Sequence, residues 1–150
     1  MSTVKQTDRD AKFLQKIYSN VKMGSESIIN LMPKVKDDDM RAYMTRQLER
    51  YEGYAADIKG RLDSKGVPPK EESAMVKLMA KTGMDMKTMV DSTTSHIAEM
   101  MVQGSTMDIT DLLQEASAYS KYPECGESVS LAKEIVSFEE ENVEKMKRFL

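Results

Sequence analysis

The chain carries a single histidine, His96, and that count bears on which chemistry is open to it. A helical bundle that holds two metal ions through carboxylates takes a Glu from each of two helices. It takes a Glu-x-x-His pair from each of the other two. Two imidazoles are therefore needed. Glu49-x-x-Glu52 and Glu141-x-x-Glu144 have the right spacing but lack the imidazole. His96 and Glu99 are also three apart and could chelate one ion weakly, but two ligands rarely make a specific site. The sequence has no glycine-rich phosphate loop, nucleophile elbow or paired metal-binding cysteines. The expectation is a chain with no catalytic residues, no metal ligands and no cofactor.

The elements that would position any site are helices. Helix one is expected from Asp8 to Met32, with Leu14, Ile17, Tyr18, Val21, Ser25, Ile28 and Met32 on one face. Pro33 disfavours helical geometry at Met32 and ends it. Helix two is expected from Asp37 to Lys65, with Asp37, Asp38 and Asp39 at its positive end. Its seam is Met44, Leu48, Tyr51, Ala55, Ile58 and Leu62. Gly66 fits the position just beyond it, and Pro68 and Pro69 forbid continuation. A short helix over Glu72–Lys81 lies in the long connection that follows. Helix three starts with Ser95 as cap and runs to Tyr119, along Ala98, Val102, Ser105, Ile109, Leu112, Ala116 and Tyr119. Helix four runs from Glu127 to the C-terminus, with Ala132, Ile135, Val136, Val143, Met146 and Leu150 inward. Each main helix has about 25 residues and spans roughly 37 Å.

Matched helices, two short hairpin connections and one long middle connection predict an all-α four-helix bundle. A long, partly helical crossover joins helices two and three. An up-down-up-down bundle is the alternative order.

Glu139 is the one acid that this pattern turns inward, between Val136 and Val143, with Asn142 beside it. A lone buried carboxylate is costly. Tyr18, Tyr51, Ser105 and Asn142 fall near the same level and are its candidate partners. One reading is a hydrogen-bonded polar layer that fixes helix register. The sharper reading is an altered ligand pocket marked by a raised glutamate pKa. Glu140, Glu141 and Glu144 read as a solvated face. Helix three has a second stripe opposite its seam: His96, Met100, Gln103 and Met107. Such a stripe is buried against something: the Met-rich crossover (Met75, Met79, Met86, Met89), another subunit, or a small molecule in a pocket between crossover and bundle.

Composition narrows the class further. At 150 residues one domain with a real core is expected, and the net charge of -3 with no basic stripe argues against nucleic acid. No apolar run approaches the ~20 residues of a membrane span. No signal peptide is visible, and the single Cys125 suits a reducing compartment. The expected location is the cytoplasm. Fourteen methionines suit an adaptable interior.

The run His96-Ile97-Ala98-Glu99-Met100-Met101-Val102-Gln103-Gly104-Ser105-Thr106-Met107, after a long crossover and before a short turn into the last helix, resembles bacterial ferritin-like four-helix-bundle proteins of unknown function. The resemblance implies a ferritin-like bundle in the cytoplasm without an assigned activity. The expected function is a non-catalytic binding, structural or assembly module, self-associating through helix three or the crossover. The competing class is a metal-binding protein or di-metal carboxylate oxidoreductase of the same group.

Overall fold

The computed structural model describes residues 2–70 and 91–150, with side chains from Arg9 onward. Four long helices are present among them: α1 (Ser2–Leu31), α2 (Asp38–Ser64), α3 (Thr94–Tyr119) and α4 (Gly126–Lys147). The α1 helix starts six residues before the expected Asp8, because nothing from Ser2 to Thr7 is a proline or glycine that would break it. Pro33 converts its end into a 3-10 turn, Met32–Lys34, closed by Val35 N–H donating to Met32 O at 3.1 Å. Asp37 then caps α2, accepting from Met40 N–H at 2.9 Å.

The α2 helix ends in a Schellman motif. Gly66 takes φ +69°, its N–H donates to Asp63 O, and Val67 N–H donates to Leu62 O, both at 3.0 Å. Only glycine reaches that backbone conformation without strain. At the start of α3 the cap is Thr93 rather than Ser95: its hydroxyl accepts from His96 N–H at 3.2 Å. Asp91 accepts from Thr93 N–H at 3.0 Å and sets up the turn. Leu150, expected to face inward, lies beyond the end of α4 and is exposed.

Cross-helix contacts give the order of the bundle. Phe13 stacks on Tyr119 at 4.5 Å, and Lys16 bonds Glu115 at 3.1 Å, so α1 and α3 run antiparallel. Arg148 bonds the Tyr43 hydroxyl at 3.1 Å, while Tyr51 bonds Glu139 nearer the middle, so α2 and α4 also run antiparallel. The α1–α2 and α3–α4 pairs are hairpins joined by short turns. Two helices therefore run one way (α1, α4) and two the other (α2, α3). The connection from α2 to α3 starts at one end of the bundle and finishes at the other. The up-down-down-up order is the one adopted, and the up-down-up-down alternative is not. The expected short helix over 72–81 and the crossover methionines lie outside the described residues.

The core runs the length of the four helices. Leu14, Ile17, Tyr18, Val21, Ser25 and Ile28 are buried as expected for α1. On α2 the fully buried line is Met40, Met44, Gln47, Tyr51, Tyr54, Ile58 and Leu62; Leu48 and Ala55 are only partly buried against it. The seam is thus turned toward Gln47 and Tyr54. A polar residue and a tyrosine at those two positions disguise a spacing of four and three that is otherwise strict.

One end of the bundle is closed by a polar hub. Asp10, at the start of the α1 core, accepts from the Ser128 hydroxyl at 2.6 Å and pairs with Lys65 at 3.0 Å. It thereby ties α1 to the end of α2 and the start of α4. Arg9 bonds Glu124 at 2.5 Å beside it and lies over the Tyr122 ring. Cys125 is buried here, and burial with the charges of Asp10 and Glu124 pushes its thiol up, away from thiolate reactivity. Asp10→Ala leaves the buried Ser128 hydroxyl without its partner. It is expected to cost about 1–3 kcal/mol in urea denaturation. Glu144→Ala, which removes a bond to Lys147 on the exposed face, is expected to cost about 0.5 kcal/mol or less.

Candidate functional site

The residue that organises the bundle interior is Tyr51. Its ring packs against the backbone of α1 at Gly24: a Cβ added there would sit 2.5 Å from Tyr51 Cε1 and Cζ. The ring also meets Phe138 in a T-shaped contact, with centroids 5.0 Å apart and planes at 79°. Held between two helices, the phenol is aimed across the bundle at α4. There it donates a short hydrogen bond to Glu139 Oε1.

Glu139 is completely buried. Asn142, one turn further along α4, donates its amide N–H to the same Oε1 at 3.1 Å. The third side of the layer comes from α3, where Ser105 and Asp108 are buried and three residues apart. Ser105 lies within hydrogen-bonding reach of both Tyr51 and Glu139. The Asp108 carboxyl lies within reach of Glu139. Glu139 Oε2 receives no N–H or O–H from another side chain. Two carboxyl groups can bond to each other only when one of them holds a proton.

The electrostatics agree with that arrangement. Burial raises the Glu139 carboxyl above its ordinary value, partly offset by its bonds to Asp108, Tyr51, Asn142 and Ser105. Tyr51 is pushed well above the usual phenol value, first by burial and then by the charges of Glu139 and Asp108. Tyr51 therefore remains a hydrogen-bond donor throughout the working pH range, and the carboxyl pair is the natural place for a shared proton. Beside it, Gly24, Ser105 and Asp108 line a cavity of about 20 Å³ between α1 and α3, room for about one water molecule.

Of the five residues expected in the polar layer, Tyr51, Ser105, Glu139 and Asn142 come together. Tyr18 does not. It is buried six residues before Gly24, about 9 Å lower along α1, and makes no hydrogen bond to the layer. Three contributors escaped the sequence reading. Asp108 follows Ser105 by three and precedes Leu112 by four, spacing that places it on the same face. Its charge concealed its inward position. Gln47 is the polar member of the α2 seam. Gly24 carried no signal by itself, since its role depends on what crosses it.

The expected interaction stripe on α3 divides. Met100 is buried, lining the α1–α3 cavity with Met23 and Ser27. Gln103 is exposed, Met107 is partly buried, and His96 is partly buried with Nδ1 3.8 Å from Glu99. Met100 is turned inward, where it lines the cavity between α1 and α3. The stripe is therefore not one continuous outward patch. Glu49, Glu52, Glu140, Glu141 and Glu144 are all exposed. No group of three or more His, Cys, Asp or Glu side chains suited to a metal occurs among the described residues. No helix among them is long and apolar enough to cross a membrane.

A second polar feature lies between α2 and α4. Gln47 is buried one turn before Tyr51, and neither Nε2 nor Oε1 of its amide has a hydrogen-bond partner. It lies in a groove of about 310 Å³ with Arg46, Arg50, Phe138, Asn142 and Lys145. The guanidinium of Arg50 is held over the Phe138 ring at 5.0 Å and bonds the Tyr54 hydroxyl at 2.8 Å. Comparison of the chain with protein-family models, with characterised proteins and with solved structures finds no match, so the functional reading rests on these residues.

Proposed function

We propose that the chain is a non-catalytic binding module built on a ferritin-like bundle, in which the interior carboxylates hold a shared proton in place of metal ions. The up-down-down-up order with one long connection supports the ferritin-like reading, since that family of bundles uses a single crossover. One observation carries the functional part. Tyr51 and Asn142 both donate to Glu139 Oε1, so the acceptor that a metal would take is already engaged by protein donors. Opposed to it, Asp108 completes a pair that is stable with one proton. The layer then joins α2, α3 and α4 in one register, and binding is left to the outer grooves.

A second reading is favoured by one feature. Asp108 and Glu139 are buried carboxylates from facing helices, and Glu139 Oε2 has no side-chain donor. Such a pair could hold one ion. Thermal unfolding of chelator-free protein with added ferrous iron or zinc separates the two. The proton-sharing reading expects Tm to change by no more than about 1 °C. A metal site would raise stability by about 2.7 kcal/mol at a hundredfold excess over Kd, and Asp108→Asn would abolish the gain.

A further inference from the structure

Among the described residues, the α2–α4 groove holds the side chain that its surroundings leave least satisfied. Gln47 is 3 % exposed, and both ends of its amide lack a hydrogen-bond partner. A buried amide without partners is unfavourable, and Gln47 is one of the residues that line this groove. The same groove presents two guanidinium groups that form no ion pair with a carboxylate among the described residues. Arg46 lies over the Tyr43 ring at 4.8 Å, and Arg50 over Phe138 at 5.0 Å and Tyr54 at 5.4 Å. Aromatic faces thus hold both cations in place while leaving N–H donors available. Glu141 and Glu134 act on Arg50 from beyond ion-pair distance, so its charge is offset only in part. Lys145 is paired with Glu141 at 2.9 Å, and the exposed Glu49 makes no ion pair with either arginine.

We propose that this groove binds a small organic anion in which a carboxylate stands next to an amide, the chemistry of an N-acylated amino acid. The carboxylate takes the paired N–H groups of Arg46 or Arg50, a geometry guanidinium groups match well. The ligand amide then meets Gln47 head to tail: its N–H donates to Gln47 Oε1, and its carbonyl accepts from Gln47 Nε2. Phe138 supplies the apolar wall. The volume, about 310 Å³, is at the small end of ligand pockets. The assignment rests on the binding-module reading. It fails separately from it, because its readout is at Gln47 and that of the metal test is at Asp108 and Glu139.

N-acetylglycine is the probe. Titration into the full chain labelled with ¹⁵N is expected to shift the Gln47 side-chain amide signals saturably, with a Kd of about 1 mM for a ligand of this size. Acetate, which lacks the amide, and acetamide, which lacks the charge, should each bind at least about tenfold more weakly. Gln47→Leu conserves volume and removes the unpaired amide, so the fold is retained while N-acetylglycine binding falls about tenfold or more. Arg46→Gln together with Arg50→Gln should abolish it. Absence of a saturable shift at Gln47 up to about 20 mM probe would overturn the proposal. Equal binding of acetate and N-acetylglycine, or undiminished binding by Gln47→Leu, would also overturn it.

Discussion

Gly24→Ala is expected to destabilise the protein by about 3 kcal/mol, lowering Tm by roughly 6–12 °C for a chain of this size. The sign is the informative part. Gly24 lies inside α1, where alanine is favoured over glycine by about 1 kcal/mol. Helix propensity alone therefore predicts a gain. The structure predicts a loss, because the new Cβ would meet Tyr51 Cε1 and Cζ at 2.5 Å. A mobile side-chain tip could give way there. The Tyr51 ring cannot do so cheaply, since it is packed against Phe138 and its hydroxyl is bound to Glu139. Overpacking costs about 1–3 kcal/mol, and leaving the buried Tyr51 hydroxyl and Glu139 carboxyl without each other adds about 1–3. In a Tyr51→Leu background the ring is gone, so Gly24→Ala should be neutral or stabilising by up to about 1 kcal/mol. A double-mutant cycle by denaturant unfolding measures the coupling. Additive effects would mean that Gly24 and Tyr51 do not act together.

Glu139→Ala should cost about 3–4 kcal/mol, because it opens a cavity and leaves the Tyr51 hydroxyl and the Asn142 amide without their acceptor. Glu139→Gln should cost about 1 kcal/mol or less near neutral pH. Its amide oxygen still accepts from Tyr51, and its N–H groups can donate to Asp108. The two glutamate variants thus separate the hydrogen bonds from the charge. Their pH dependence carries further weight. Below 4.5, the ordinary glutamate value, Glu139 is protonated in both native and unfolded chains, and the raised pKa contributes its full stability. As pH rises, the unfolded chain releases the proton first while the native chain retains it. The contribution is then lost as pH passes through the raised value. Glutamine has no such proton. Stability of wild type relative to Glu139→Gln should therefore fall as pH rises from 4.5 through the raised value, as read by chemical denaturation at each pH. A flat difference would mean that Glu139 has its ordinary affinity for protons.

Much of this architecture was legible in the sequence because apolar spacing, proline and glycine punctuation and acidic helix starts are local signals. Pro33, Asp37 and Gly66 act where their chemistry says they should. The order of the helices was not legible. Both orders bury the same faces, and only cross-bundle pairs such as Phe13–Tyr119 and Lys16–Glu115 decide between them. The inward position of Glu139 followed from its apolar neighbours, whereas Asp108 was hidden because a charge at the edge of a seam resembles a solvated residue. Gly24 and Gln47 expose a different limit. One is defined by a ring from another helix and the other by the lack of a partner. Neither property exists until the helices are packed. Met100 shows the same effect in reverse: rotation opposite the seam predicted an outer face, but it is buried beside the cavity between α1 and α3.

The most direct test of the shared-proton layer is a side-chain carboxyl ¹³C titration of Glu139 and Asp108, with and without zinc. The account predicts that Glu139 titrates above 4.5 and that zinc leaves the Glu139 and Asp108 signals unchanged. Zinc-driven loss of the proton, with both carboxyl signals moving at stoichiometric metal, would contradict it and assign the layer to metal binding.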